Sequence, residues 1–318
     1  MSADVRLIGL DWGTSSLRAY LYDASGIVVA SRQRAWGIRH LPEGGFTAAW
    51  QAITKDWPAC VAVAAGMVGS RQGWREVPYV DVPADAASIA QGMLRIEAQA
   101  GRELWIAPGL CRKQPADVMR GEETQIIGAL ALHPDYQANA CFVLPGTHSK
   151  WATVLDGRIA AFDTVMTGEL YALLMKHSIL GAGLPAETTQ PFSQHAFLRG
   201  LHTVKESREQ GVFSRLFSTR ALMLAGELSA EEVPDFLSGL MIGEEFRIAR
   251  ARDHGRETPL CLIGDASLCQ RYIVAATHFG YAEPTVIDDA AAQGLWQLAS
   301  TAGLLAQAPL HSYSGVTA

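Results

Sequence analysis

The chain has 318 residues, 49% of them apolar and 18% charged, with a formal net charge of -6 at neutral pH. That length suits two domains of about 130 to 180 residues, and no basic patch stands out that would hold a nucleic-acid backbone. The longest apolar stretches, such as Val61 to Val68, fall well short of the roughly 20 residues that a membrane-spanning helix needs.

The start of the chain, with Asp4 and Arg6 ahead of any long apolar run, does not read as a signal peptide. Val5 to Leu10, Leu17 to Tyr22 and Ile27 to Ser31 alternate as three short strands, turned at Gly13-Thr14 and at Asp23 to Gly26. A helix over Phe46 to Trp57, a buried strand over Cys60 to Ala65, a helix over Ala84 to Ala100, a strand over Leu104 to Ala107 and a helix over Pro115 to Leu132 follow. This succession describes an α/β domain.

After His133-Pro134-Asp135 the pattern begins again, with strands over Ala140 to Leu144, Lys150 to Leu155 and Arg158 to Phe162. The two halves overlay without a gap: Gly13-Thr14 precedes Asp23 by the same ten residues that separate Gly146-Thr147 from Asp156, and Ser16 falls on Ser149. Duplication is the expected origin, with domains over residues 1–135 and 136–318. The remainder is more helical, over Thr167 to Leu180, Ser214 to Leu228 and Glu231 to Arg252. A strand over Pro259 to Ile263 then leads through Gly264-Asp265 into a helix over Ser267 to Phe279 and a last strand at Pro284 to Ile287. The five cysteines, Cys60, Cys111, Cys141, Cys261 and Cys269, form no C-x-x-C pair and read as small hydrophobes in a reducing cytoplasm.

Three segments could carry chemistry. In Asp11-Trp12-Gly13-Thr14-Ser15-Ser16 a glycine lets backbone approach a phosphate, turn amides and hydroxyls can donate to it, and the carboxylate of Asp11 can hold Mg²⁺. Gly146 and Thr147 repeat the turn in the second half, with His148 and Lys150 close enough to touch phosphate or substrate. Two such loops facing each other across a cleft could clamp a triphosphate. Gly264 and Asp265 end a buried strand among small residues, leaving room for an adenine ring. Neither a Walker loop nor a Gly-x-Ser-x-Gly elbow or His-Glu-x-x-His pair is present.

In this order and spacing the three segments resemble the PHOSPHATE 1, PHOSPHATE 2 and ADENOSINE motifs of the sugar kinase, heat-shock-70 and actin superfamily. Longer strings, Leu10 to Ser15, Ala65 to Ser70, Arg120 to Gln125, Leu144 to Trp151 and Met166 to Leu170, resemble the 2-dehydro-3-deoxygalactonokinase family. Gly264-Asp265 departs from the Gly-Gly of many superfamily members. The resemblance implies duplicated actin/hexokinase-like (ribonuclease H-like) domains with a cleft between them, ATP and Mg²⁺ as cofactors, and a cytoplasmic enzyme that phosphorylates a sugar acid, with neither nucleic acid nor membrane as partner. A homodimer is compatible with it.

It also implies an acceptor-activating carboxylate at Glu122 or Glu123, where related kinases carry an Asp and related polyphosphatases a Glu. A sugar acid brings a carboxylate that suits a bidentate arginine, for which Arg18, Arg71 and Arg112 are candidates, with Trp36 and Ser70 as further substrate contacts. Two alternatives stand beside the kinase: a phosphohydrolase that uses the glutamate to activate water, and a non-enzymatic sugar sensor or filament-forming ATPase.

Overall fold

β1 (Val5–Trp12), β2 (Leu17–Asp23) and β3 (Val28–Arg34) form the expected meander. β1 pairs antiparallel with β2, Asp11 opposite Arg18, and β2 pairs antiparallel with β3. The computed structural model describes residues 4–99, 101–184, 191–252 and 257–306. After α1 (Gly45–Ile53), strand β4 (Val61–Ala65) lies parallel to β1 and sets Ala65 beside Asp11. Next come β5 (Val80–Asp81), α2 (Ala86–Gln91), β6 (Leu94–Gln99), β7 (Arg102–Ile106), β8 (Leu110–Arg112), β9 (Asp117–Met119) and α3 (Glu122–Leu132). The main sheet has the order β3-β2-β1-β4-β7-β6, and β5, β8 and β9 make a small sheet of their own. Leu10, Trp12, Leu17, Trp50 and Ile53 pack one face of the main sheet into a core that excludes water.

The second half contributes β10 (Asn139–Leu144), β11 (Ser149–Leu155), β12 (Arg158–Val165), α4 (Thr167–His177), α5 (Gln194–Lys205), α6 (Ser218–Leu224), α7 (Val233–Ala251), β13 (Leu260–Leu262), α8 (Ala266–Phe279), β14 (Thr285–Val286) and α9 (Ala290–Thr301). Its sheet has the order β12-β11-β10-β13-β14, with β10, β13 and β14 parallel. In both sheets the first strand lies between its hairpin partner and a parallel strand reached by a crossover, with β7 and β6 beyond it in the first sheet and β14 in the second. The chain is thus an α/β protein in which the ribonuclease H-like arrangement of actin- and hexokinase-type domains occurs twice.

Two expected helices are shorter than their sequence pattern. Asp85 and Ser88 close a capping box on α2, but the helix stops at Gly92. Beyond it Leu94 and Ile96 pack on the core while Arg95 and Glu97 face outward, a period of two that pairs β6 with β7. In the segment expected as a helix from Pro115, residues Asp117–Met119 pair with β8. Gly121, at φ 109°, breaks the chain direction, so helix begins only at Glu122. The helices α5 and α9 and the small sheet had no counterpart in the sequence reading, and only Ser218–Leu224 of the expected Ser214 to Leu228 helix is α-helical.

The compact units are not the contiguous halves 1–135 and 136–318. One comprises the chain up to Ala138, Val154–Ala161 and the chain from Asp289; the other comprises Asn139–Thr153 and Phe162–Asp288. The physical reason is α9, which packs on α3 through facing glycines. A Cβ on Gly128 would collide with the Ala290 carbonyl, and one on Gly294 with the Thr124 carbonyl. The hydroxyl of Tyr22 donates to Ala292 O at 2.7 Å, fixing α9 against β2. Ala84 and Ile159 exchange backbone bonds of 3.1 and 2.8 Å, which assigns the tip of the β11–β12 hairpin to the first unit. Among the described residues no helix is long and apolar enough to cross a membrane.

Candidate active site

In the first unit, burial of Trp12 fixes the end of β1. Its ring packs 5.4 Å from Phe46 and 6.0 Å from Trp74, and its Nε1 donates to the Trp36 carbonyl at 2.8 Å. The turn that follows is closed by Gly13 N–H donating to Ser16 O (2.9 Å) and is held from outside by Ile38 N–H on Gly13 O and Arg39 N–H on Thr14 O. Asp11, immediately before Trp12, therefore points from a rigid strand end. Its side chain is 20% exposed and lies 3.8 Å from the Arg18 guanidinium. Burial raises the Asp11 pKa, and Arg18 opposes that rise.

At the start of α3 two carboxylates turn back onto the chain. Glu122 Oε2 accepts from Arg120 N–H (2.9 Å) and Glu123 Oε2 from Gly121 N–H (2.8 Å), each satisfying an amide at the positive end of the helix. Thr124 Oγ1 donates to Glu123 Oε1 at 3.1 Å. Glu123 has no exposed surface. Its pKa is pushed up to about 8, by burial first and by the charge of Glu122 second, against the pull of those hydrogen bonds. Glu122 is half-buried.

In the second unit the β10–β11 turn is held by side chains. Gly146 N–H donates to Ser149 Oγ at 3.4 Å, Ser149 Oγ lies 3.0 Å from Tyr272 Oη, and Tyr272 donates its proton to Glu245 Oε1 at 2.7 Å. A chain of hydrogen bonds thus links the loop, through Ser149 and Tyr272, to the buried Glu245. Trp151 Nε1 donates to the other oxygen of Glu245 at 2.7 Å. Burial raises the Glu245 pKa, against the pull of its hydrogen bonds. The N-terminus of α4 abuts the same turn: Glu169 N–H donates to Thr147 O at 3.0 Å, and a Cβ on Gly168 would come within 2.6 Å of Gly146 O. A cavity of about 180 Å³ opens beside it, bordered by Gly146, Gly168, Tyr171, Met241, Leu268 and Arg271. Mostly apolar walls beside a glycine turn and a helix N-terminus suit a flat ring that carries phosphate.

The first unit thus brings together Asp11, Gly13, Thr14, Ser15, Ser16 and Arg18, and it also carries Glu122 and Glu123. The second unit brings together Gly146, Thr147 and His148, whose Nε2 is 2.5 Å from Glu169 Oε2. Lys150 is 5% exposed and donates to Thr164 Oγ1 at 2.7 Å. Asp265 caps α8, its Oδ1 accepting from the Ser267 hydroxyl (2.5 Å), Leu268 N–H (3.3 Å) and Ser267 N–H (2.9 Å), and these bonds, the hydroxyl's first, lower its pKa. The cavity is bordered one turn further along that helix, by Leu268 and Arg271. Trp36 is half-buried against the first core, Ser70 is buried and Arg71 is exposed. Arg112 lies on β8, its Nε donating to Pro115 O at 3.0 Å.

Sequence reasoning missed Tyr171, Glu245, Arg271 and Tyr272. The strings Leu144 to Trp151 and Met166 to Leu170 and the Gly264-Asp265 turn pointed toward this corner of the molecule, but not to these four side chains, and Gly168 was read as part of a helix start.

The chain matches the family described as 2-keto-3-deoxy-galactonokinase over residues 11–298. It belongs to that family. By this membership it is a kinase, a phosphotransferase with an alcohol group as acceptor. The family's Escherichia coli (strain K12) member, named 2-dehydro-3-deoxygalactonokinase, is 40% identical over 293 residues, covering 91% of this chain and 95% of that protein. A Rhizobium meliloti (strain 1021) protein named "Probable 2-dehydro-3-deoxygalactonokinase DgoK1" is 35% identical over 307 residues, covering 91% of this chain and 97% of its own. A crystal structure of a Sinorhizobium meliloti protein superposes with a TM-score of 0.83 at 33% identity, covering 92% of this chain and 98% of the other.

Proposed function

We propose that the chain transfers the γ-phosphoryl group of ATP to 2-dehydro-3-deoxy-D-galactonate, giving the 6-phosphate. The observation that carries this reading is the 40% identity, over 91% of the chain, to the Escherichia coli protein of that name. The geometry of each unit supports a division of labour within it. The second unit's cavity and its Gly146-Thr147 turn take the base and phosphates, with the α4 N-terminus adding its positive end. The first unit's turn at Gly13 to Ser16 offers further amides and hydroxyls to phosphate oxygens.

Asp11 is the residue to hold Mg²⁺. One part-exposed carboxylate at a strand end fits a cation that keeps several waters and binds substrate phosphates. Among the described residues there is no cluster of three or more His, Cys, Asp and Glu to cage a metal. Bound there, the ion neutralises charge on the phosphate oxygens.

Glu122 serves as the base. Glu123 is fully covered, and with its pKa near 8 it keeps its proton at neutral pH, so it cannot accept another. Glu122 beside it is partly open, and it takes the proton of the acceptor hydroxyl as that oxygen joins phosphorus. Glu123 holds the Gly121 amide and with it the start of α3. A coupled ADP-release assay over a panel of 2-keto-3-deoxy sugar acids tests the reading. Clear stimulation by the galactonate derivative above the acceptor-free rate is expected, and equal rates with and without every acid would sink it.

A further inference from the structure

Arg120 is 8% exposed, so its always-charged guanidinium sits inside the first unit. Its Nη2 donates to Val77 O at 2.8 Å, and the Tyr79 ring lies 4.2 Å from the guanidinium carbon. Its Nε and Nη1 have no hydrogen-bond partner, and among the described residues no carboxylate pairs with it. Burying such a cation without an anion costs several kcal/mol, and native chains rarely leave buried donors unpaired.

The neighbouring segment brings a close-packed glycine and another unpaired polar group. Gly69 faces the guanidinium, where a Cβ would come within 3.0 Å of Nη1, and the adjoining Ser70 carries a third buried polar atom without a partner, its Oγ. Both residues follow β4, whose end at Ala65 lies beside Asp11, and Arg120 directly precedes Gly121 and the two glutamates. The unpaired Nε–H and Nη1–H lie on different edges of the guanidinium, so each is a separate charged donor for one carboxylate oxygen, and the Ser70 hydroxyl is a further unpaired group on the adjoining segment.

We infer that Arg120 and Ser70 form the binding site for the substrate's carboxylate. The inference rests on the sugar-acid reading above and adds to it the group that selects an acid over a neutral sugar. Arg18, Arg71 and Arg112 lack this character: the first is paired with Asp11, the second is exposed, and the third is on the small sheet. Tyr79, itself 41% exposed, covers the guanidinium and is the side chain that must yield when the acid enters.

The test compares the wild-type chain with Arg120→Lys and Ser70→Ala, on the sugar acid and on its amide. Each variant is expected to raise the KM for the acid about tenfold or more, while leaving the KM values for ATP and the amide unchanged, so that the preference for acid over amide collapses. Retention of the wild-type preference in both variants overturns the site, whatever happens to their stability. A second measurement separates this outcome from failure of the functional reading. Pyruvate, a minimal 2-keto carboxylate, should raise the melting temperature of the wild type and of neither variant. If no sugar acid is phosphorylated yet pyruvate behaves so, the carboxylate site stands and the substrate assignment falls. If the acids are phosphorylated but pyruvate protects all three proteins equally, the reverse holds.

Discussion

Two residues before the glycine of the first hairpin stands Asp11; at the matching place in the second stands Leu144. Arg18, across the strand from Asp11, corresponds to Trp151, which reaches inward to Glu245. The first turn is held by its own backbone and by the amides of Ile38 and Arg39, the second by Ser149, Tyr272 and the start of α4. Two copies of one strand order have therefore diverged in chemistry while keeping their shape. The first keeps charged groups near the surface at a strand end, where they can meet an acceptor and a metal. The second has an apolar residue at that place and is tied through Ser149 and Tyr272 to a carboxylate of α7 in the core, Glu245.

The strongest attempt to break this contrast is Glu122→Gln. Loss of a general base should lower kcat by about 10² to 10⁴, with the KM for ATP little changed, measured by coupled assay at saturating sugar acid. Asp11→Asn follows, with an expected loss of about 10² to 10³ in kcat and a raised Mg²⁺ requirement. If both variants keep wild-type turnover, chemistry does not reside in the first unit.

The second hairpin should respond in affinity instead. Gly168→Val places a branched side chain against Gly146 O and Thr147, where even a Cβ is too close. The KM for ATP is expected to rise at least about tenfold, equivalent to about 1.4 kcal/mol, more than kcat falls. Tyr272→Phe deletes the hydroxyl between Ser149 and Glu245 and leaves both short of a partner. A stability loss of about 1 to 3 kcal/mol and a several-fold rise in the KM for ATP are expected, read by thermal melting and by nucleotide titration.

The duplicated meander was legible because its signals are local: alternation within a strand, a Gly-Thr turn, an Asp-containing turn ten residues on. The strand at Leu94–Gln99 was lost to a helix because Ala84 to Ala100 is rich in helix formers, and only pairing with β7 reveals the period of two. The return of α9 to the first unit depends on Gly128 meeting Ala290, a contact between residues far apart in the chain that no window contains. The same holds for the site. Asp11 and the two turns could be read from neighbours in sequence, whereas Glu245 meets Trp151 across 94 residues and Arg120 meets Val77 across 43. Arg120 was quoted within a matching string yet passed over in favour of arginines on less buried segments, because burial without a partner is a property of the fold.

The smallest expected effect concerns the two buried carboxylates. Glu123 has a folded-state pKa of about 8 against an ordinary value of 4.5. Between those limits the folded chain holds a proton that the unfolded chain has released, so stability is greatest at the acid end and falls as pH rises from about 4.5 to about 8. Above that range the loss is complete, on the order of a few kcal/mol. Glu123→Gln keeps an oxygen for the Gly121 amide and has no proton to lose, so its melting temperature should decline less than that of the wild type between pH 5 and pH 9. Glu245 also has a raised pKa, but it is surrounded by donors that stabilise its charge, so Glu245→Gln should flatten the same profile less. Parallel profiles for wild type and Glu123→Gln would mean that Glu123 is ionised in the folded chain, and the assignment of Glu122 as sole base would lose its footing. A larger flattening from Glu245→Gln than from Glu123→Gln would instead place the poorly solvated carboxylate in the second unit and reverse the contrast between the two hairpins.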